Sequence, residues 1–482
     1  SLKKRGELIM QSQSHDFIGR ARKGLADVDL QTALARFQTG FSVKRAEVAA
    51  KLPEFEALRD EAVEIKDHSL DHLDFYLDHF ATKVEEGGGE VHWCVTPEDA
   101  RQKILQICQA AGARSATKSK SMISEEIALN PFLEENNIAP IETDLGEYIV
   151  QLAEEYPSHI IAPAVHKTKD QVSNLFYKHH KEKGSGKRLD GVEELVTEAR
   201  GMLRKKFIAA DVGITGANFL VAETGTTAIV TNEGNGDLTQ ILPRVHIVLA
   251  TLEKVVPTLE DMTTILRVLA RSATGQEFST YTTLSTGPKR VGELDGPEAF
   301  HVILLDNGRS KLLGSEFREI LRCIKCGACM NHCPVYGTIG GHAYGWVYPG
   351  PIGAVLTPNL MGLKEGRHLP NATTFCGRCE AVCPVRIPLP GLMRKLREEE
   401  FDAKLLPPRY RLGLSLWAWM ARHPRLYRLA ASFGRCVLNM LSRRQGHLTK
   451  APFASGWTAG RDMPAPEGGS FQAQWRRKGG RT

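Results

Sequence analysis

No apolar run in this chain approaches the ~18 to 20 residues that a membrane-crossing helix needs, so a membrane-spanning helix is not expected. The first residues, Ser1-Leu2-Lys3-Lys4-Arg5, carry charge where a secretory leader carries an apolar core. The expectation is a cytoplasmic protein, and reduced cysteines fit that compartment. No G-x-G-x-x-G follows a strand-like run, and Gly234-Asn-Gly236-Asp-Leu-Thr lacks the third glycine, so no flavin or nicotinamide motif is seen. Acid is nearly missing from the C-terminal stretch: Phe401 to Thr482 holds three acids against fifteen Lys and Arg, in a chain whose net charge is only +6. That stretch has no recognisable nucleic-acid reading motif, and no nucleic-acid partner is expected.

What is present reads as an ordinary globular protein, 42% hydrophobic and 24% charged over 482 residues, long enough for two or three domains. Residues from about Ser14 to Val84 read as mostly helical, with Pro53 separating two runs free of glycine and proline. Strand and helix signals then alternate. Gly89 to Val95 begins a strand, and Thr96-Pro97 opens a helix with threonine as N-cap and proline at the first position. His159-Ile-Ile-Ala-Pro163, Gly216 to Thr226, Thr227 to Asn232, Arg244 to Ala250 and Phe300 to Asp306 are short apolar runs of strand length. The alternation predicts an α/β layer architecture.

Seven of the ten cysteines fall into two blocks, Cys323-x2-Cys326-x2-Cys329-x3-Cys333-Pro334 and Cys376-x2-Cys379-x3-Cys383-Pro384. This is two-cluster ferredoxin spacing, in which three thiolates of a block bind one [4Fe-4S] cluster and the cysteine before proline ligates the other. The crossover assigns Cys323, Cys326, Cys329 and Cys383 to one cluster and leaves Cys333, Cys376 and Cys379 on the second. The full spacing places the missing ligand at Thr373. The second centre is therefore a [3Fe-4S] cluster, or a [4Fe-4S] cluster whose fourth iron takes water, a substrate group or a side chain such as His368. A zinc ribbon would need two C-x2-C pairs and four ligands per metal, a poor match to seven cysteines with two Cys-Pro ends. Cys94, Cys108 and Cys436 are scattered and are expected to be buried small hydrophobes.

Glu223-Thr-Gly-Thr-Thr-Ala-Ile-Val-Thr-Asn-Glu-Gly-Asn235, Gly287-Pro-Lys-Arg-Val-Gly and Asp295-Gly-Pro-Glu look like the LUD domain, and Gly340-Gly-His-Ala-Tyr344-Gly-Trp346-Val-Tyr348-Pro-Gly-Pro-Ile-Gly with Leu-Thr-Pro358 resembles the linker between clusters in the LutB lactate-utilisation iron-sulfur family. The resemblance runs from the N-terminal helices to Ala454-Ser-Gly-Trp457-Thr, and that family likewise has three cysteines in its second block. It implies a LUD α/β domain of the NagB and CoA-transferase-like type with N-terminal helices, an α-helical two-cluster ferredoxin-like domain, and a basic C-terminal tail. The corresponding boundaries are 1–68, 69–308, 309–395 and 396–482. It further implies an oxidoreductase component that acts in oxidation of L-lactate to pyruvate with a LutA-type iron-sulfur subunit and a LutC-type LUD subunit.

Glutamates beside glycine-rich turns are nucleophiles in CoA-transferase relatives, which makes Glu223 a weak catalytic candidate; the alternative is a turn in which the carboxylate caps amides. Lys118, Lys120, Lys289 and Arg290 could line the same pocket and attract a carboxylate or phosphate. His342, Tyr344 and Trp346 are expected to give the clusters apolar cover. The tail stretch Leu412 to Met420, with Arg422, Arg425 and Arg428 after it, suits peripheral contact with the inner membrane face or an acidic partner, or packing of its Leu and Trp face onto the ferredoxin-like domain. Two readings of function follow: electron transfer from lactate or another 2-hydroxy acid, and a redox- or iron-sensing LUD ligand-binding module.

Overall fold

A computed structural model describes residues 12–181, 184–442, 446–450, 455–458 and 460–479. The residues behind the leader expectation, Ser1 to Arg5, and Ala454 of the tail motif lie outside these. The chain forms two compact units, residues 1–400 and 401–482.

In the first unit a six-stranded, all-parallel sheet runs in the order β1-β10-β7-β4-β2-β3. Its strands are β1 (Glu90–Cys94), β2 (Ser115–Lys118), β3 (Ala139–Glu142), β4 (Val212–Thr215), β7 (Val245–Thr251) and β10 (Ala299–Leu305). A smaller sheet, in the order β8-β5-β6-β9, contains β5 (Phe219–Val221), β6 (Thr226–Thr231), β8 (Val255–Val256) and β9 (Tyr281–Ser285).

Side-chain alternation explains the continuous apolar runs. Along β7 and β10, Ile247, Leu249, Ile303 and Leu305 face one helical layer, while Val248, Ala250, Val302 and Leu304 face the other. A parallel sheet covered on both faces needs apolar residues at every position. The first layer includes helix Pro97–Ala110, opened as expected by Thr96 as N-cap with Pro97 at the first position; Asp99 completes a capping box. The second includes helix Leu73–Glu86. Cys94 and Cys108 lie in the first layer as small hydrophobes, their thiols pushed up by burial to about 11 and about 12.

Three expectations are corrected. The helical run after Pro53 breaks at His72, giving Phe55–Asp71 and Leu73–Glu86. His159 to Pro163 is a buried loop: the His159 ring accepts the amide hydrogens of Ile161 (3.1 Å) and Ala162 (3.2 Å), which meets by a side chain the bonds a strand would need from a neighbour. Cys436 is exposed.

The cysteine-bearing segment has no separate core. Tyr344, Trp346, Tyr348, Cys379 and Cys383 belong to one apolar cluster with Phe55 and Ile65 of the N-terminal helices and Phe219 and Val221 of the smaller sheet. A fully buried polar network pins it. Arg309, just past β10, makes a two-pronged bond to Glu126 (2.9 and 2.7 Å), and Tyr348 donates to the same carboxylate at 2.5 Å. Arg309 also stands 3.3 Å from Glu253. The guanidinium holds both carboxyls low, Glu253 at about 2, despite burial.

The second unit contains helices Pro408–Ala421 and Pro424–Ser442, a short pairing of His447–Leu448 with Met463–Pro464, and helix Phe471–Arg477. Helix Pro408–Ala421 buries none of its residues, and Trp417 and Trp419 are more than half exposed. Among the described residues no helix is long and apolar enough to cross a membrane.

Arg309→Met strands two buried carboxylates and is expected to lower the unfolding free energy by about 3–5 kcal/mol in denaturant titration. His246, buried against Phe300, is held neutral in the fold, its pKa pulled from 6.5 to about 3 by burial. The unfolded chain binds that proton first, so stability is full above pH 6.5 and declines as pH falls towards 3. His246→Asn, which can keep the bond to Thr215 without titrating, should flatten that decline in melting temperature.

Candidate functional site: two cysteine sets and a cavity

The two cysteine blocks fold alike. In the first, Lys325 (φ 58°) and Gly327 (φ 76°) flank Cys326 in left-handed conformation; in the second, Phe375 (φ 52°) and Gly377 (φ 76°) flank Cys376 in the same way. Each turn leads into a short helix, Ala328–Asn331 or Arg378–Ala381, that carries the next cysteine. These turns aim amide hydrogens at sulfur: the Lys325 amide donates to Cys323 Sγ (3.4 Å), Tyr336 to Cys333 Sγ (3.5 Å) and Ile387 to Cys383 Sγ (3.4 Å).

The electrostatic neighbours divide the thiols into two sets. Beyond burial, Cys326 is raised by the charges of Cys383 and Cys323, and Cys329 by those of Cys326, Cys323 and Cys383, with Cys379 of the other set contributing least. Cys379 is raised by Cys333 and Cys376. Burial, with a further push from the neighbouring cysteines, raises Cys379 to about 12 and Cys383 to about 11. Thiolates at such positions require a cation, and sulfur donors supplied with amide hydrogen bonds are the donor chemistry of an iron-sulfur cluster. The residues fit the group.

Thr373 stands where the second block lacks a cysteine, and the turn survives: its hydroxyl accepts the Phe375 amide at 3.0 Å, as Cys323 Sγ accepts that of Lys325. The ring of His368, the other candidate, accepts from Arg367 at 3.3 Å, with Arg367 and His15 as its charged neighbours.

The sets differ in surroundings. Near the first, buried Arg59 donates to the carbonyls of Ala381 (2.9 Å) and Cys383 (2.7 Å), and Arg45 to that of Val382 (3.1 Å). These arginines brace the crossing strand of chain and place positive charge beside Cys326 and Cys383. In the second set, Cys376 is exposed and its thiol is lowered by the Arg378 amide and the Thr374 hydroxyl. Exposed Arg394 and Arg397 stack over Phe375 beside it, at 5.9 and 5.2 Å.

A cavity of about 490 Å³ lies at the carboxyl ends of β2 and β4 and is closed by Ile324, Lys325 and Cys326 of the first block. Of the lysines and arginine singled out from sequence, Lys120 lines it. Lys118 is instead buried in a bond to Glu142 at 2.6 Å, Lys289 pairs with Glu298 at 3.5 Å, and neither Lys289 nor Arg290 lines the cavity. Glu223 is exposed and its carboxylate accepts the Leu259 amide (3.2 Å), capping a helix start; it does not line the cavity. Sequence reasoning missed Lys254, a cavity-lining residue in an unremarkable Leu-Glu-Lys turn, whose ammonium is pushed down to about 8 by burial.

Elsewhere, Ser158, His166 and Glu155 are linked at 2.7 Å each, in the manner of a hydrolytic triad. Ser158 is fully buried and also bonds the Pro163 carbonyl, so the trio braces the loop. Tyr344 and Trp346 are buried in the core beside the cysteines, and His342 bonds the Tyr156 carbonyl at 2.8 Å.

Comparison with known proteins gives three family matches: LUD domain over residues 77–305, 4Fe-4S dicluster domain over 319–387, and lactate utilisation protein B, C-terminal, over 395–480. Lactate utilization protein B of Anoxybacillus flavithermus is 41% identical, with 98% of this chain and 100% of that protein covered. The protein of the same name from Bacillus subtilis is 40% identical, covering 96% and 97%. An uncharacterized electron transport protein of Escherichia coli, YkgF, is 40% identical, covering 98% of both. A solved DUF162 family protein from Deinococcus radiodurans aligns with 48% of this chain and 98% of its own at 14% identity and a TM-score of 0.27.

Proposed function

The chain belongs to the lactate utilisation protein B family, and from that premise we propose that it is the iron-sulfur electron-transfer subunit of a multi-subunit system that oxidises L-lactate to pyruvate. The observation that carries this reading is the arrangement of the two cysteine sets, one walled by a cavity and buried arginines, the other opening on the surface at Cys376.

On this reading Cys323, Cys326, Cys329 and Cys383 hold one [4Fe-4S] cluster, and Cys333, Cys376 and Cys379 hold the second, a [4Fe-4S] or [3Fe-4S] centre. Such clusters, when bound, take up and release single electrons. The protein's own residues hold the sulfurs, supply amide hydrogens to them, and set the surrounding charge. Arg45, Arg59 and Lys325 offset negative charge at the first set, which favours its reduced form. Tyr344, Trp346 and Tyr348 keep water from it. The surface set, rimmed by Arg378, Arg394 and Arg397, suits exchange of electrons with an acidic face of a partner.

The partners are a LutA-type iron-sulfur subunit and a LutC-type LUD subunit, in the cytoplasm. The exposed tryptophans and arginines of the second unit provide a peripheral contact with the inner membrane face or with those partners. Glu223 remains a helix cap in this account.

At the second set the Thr373 hydroxyl accepts the Phe375 amide as Cys323 Sγ accepts that of Lys325 in the first, so a cluster held there would have a weak oxygen donor where the first has a thiolate. Thr373→Cys should restore a four-thiolate site: iron content rises towards eight per chain on reconstitution, as roughly two [4Fe-4S] clusters require, and any [3Fe-4S] EPR signal disappears. Cys383→Ser should damage the first centre and spare the second in anaerobic EPR. Loss of the three-cysteine centre instead would refute the crossover ligation.

A further inference from the structure

From β2 the chain steps outward to β3 and later resumes on the other side of β2 with β4. In open parallel sheets the crevice outside the carboxyl ends of the strands at such a reversal is where nucleotides and related cofactors bind. Here that crevice is the 490 Å³ cavity, a volume within the usual range for cofactor pockets and several times that of a three-carbon hydroxy acid.

Its lining has two characters. Ile160, Ile229, Leu249 and Leu269 form aliphatic walls. Between them, Lys254 is 7% exposed, and no hydrogen bond or ion pair among the described residues holds its ammonium. An unpaired buried ammonium is costly and is rare without an anion to meet it. Ser119 Oγ and Asn235 Oδ1, also buried in the lining, have no hydrogen-bond partner among the described residues. Lys120 and Lys325 bring two further positive charges to the same space, the Lys120 ammonium donating to the Ile161 carbonyl at 2.8 Å and standing 3.8 Å from Asp144. Of the acids present, Asp144 already accepts the amides of Gly146 and Glu147, and Glu233 stands at the end of β6.

We propose that this cavity binds a phosphate-bearing flavin of the mononucleotide class, with its phosphate met by the lysines and its ring between the aliphatic walls, in contact with Cys326. The inference rests on the electron-transfer reading, since a 2-hydroxy acid gives up electrons as a pair, clusters take them singly, and a flavin is the cofactor class that bridges the two. The missing G-x-G-x-x-G is no obstacle, because that glycine turn serves the pyrophosphate of a dinucleotide; a single phosphate is held here by side-chain ammonium groups. Volume and the apolar walls favour this ligand over lactate alone.

The test uses the full chain with its clusters reconstituted, anaerobically, titrated with flavin mononucleotide and followed by quenching of flavin fluorescence and by EPR of the first centre. Saturable binding of one flavin per chain is expected, with a change in the EPR spectrum of the first centre. Lys254→Met, which fills the same space without charge, should weaken binding by roughly 10- to 100-fold, the usual worth of a charged hydrogen bond, while iron content is kept. Lys289→Met, outside the cavity, should leave binding unchanged. No saturable flavin uptake, equal affinity in Lys254→Met, or displacement of nothing but added lactate from the cavity would overturn the proposal. If flavin fails to bind while dithionite still reduces both centres reversibly, only the cavity assignment falls. Centres that cannot be reduced would instead remove the electron-transfer reading itself.

Discussion

The bidentate bond between Arg309 and Glu126 is the interaction on which the rest of the first unit depends. Both groups are fully buried, and Tyr348, from the segment between the cysteine blocks, donates its hydroxyl to the same carboxylate. The Tyr348 ring in turn lies under the Lys325 ammonium at 4.5 Å. A charge pair anchored at the end of β10 thus fixes the turn that carries Cys326 and closes the cavity over β2 and β4. Buried pairs seldom add net stability over apolar packing, but a half-broken one is very costly, so this contact holds a single arrangement of the two parts.

Electrostatics gives the two cysteine sets different characters. Buried Arg59 and Lys254 and half-buried Arg45 and Lys325 gather around the first, whereas the second opens towards solvent at Cys376. Exposure and nearby charge are the protein's means of tuning a cluster. On the proposed function, an inner centre beside the cavity and an outer centre beside the basic rim would form a path with distinct ends. Burial of Cys326 and Cys329 raises their thiols; on the proposed ligation, metal binding would remove that penalty and couple cluster assembly to completion of this core.

Much of this was legible in the chain. Cysteine spacing carried the chemistry, because cluster ligation imposes fixed local turns, and the apolar runs carried the sheet, because a doubly covered parallel strand admits few polar residues. What escaped reading had physical causes. His159 to Pro163 has the composition of a strand, but the His159 ring supplies the acceptor for two amides. β3 and β9 are short and mixed in character. Lys254 gave no local signal, since its meaning comes from burial beside a turn distant in sequence. The position of Thr373 in the cysteine pattern could be read from spacing, but its retention of the turn shows only in the bond from Phe375. Cys436 had no neighbours in sequence to distinguish an exposed helix position from a buried one.

The most direct measurement is an anaerobic redox titration of the reconstituted full-length chain followed by EPR, with iron and sulfide analysis on the same samples. The account predicts two one-electron centres that titrate at different potentials and interact magnetically, the one bound by four cysteines being easier to reduce. A single centre, or a chain that retains zinc in place of iron and sulfide, would contradict it.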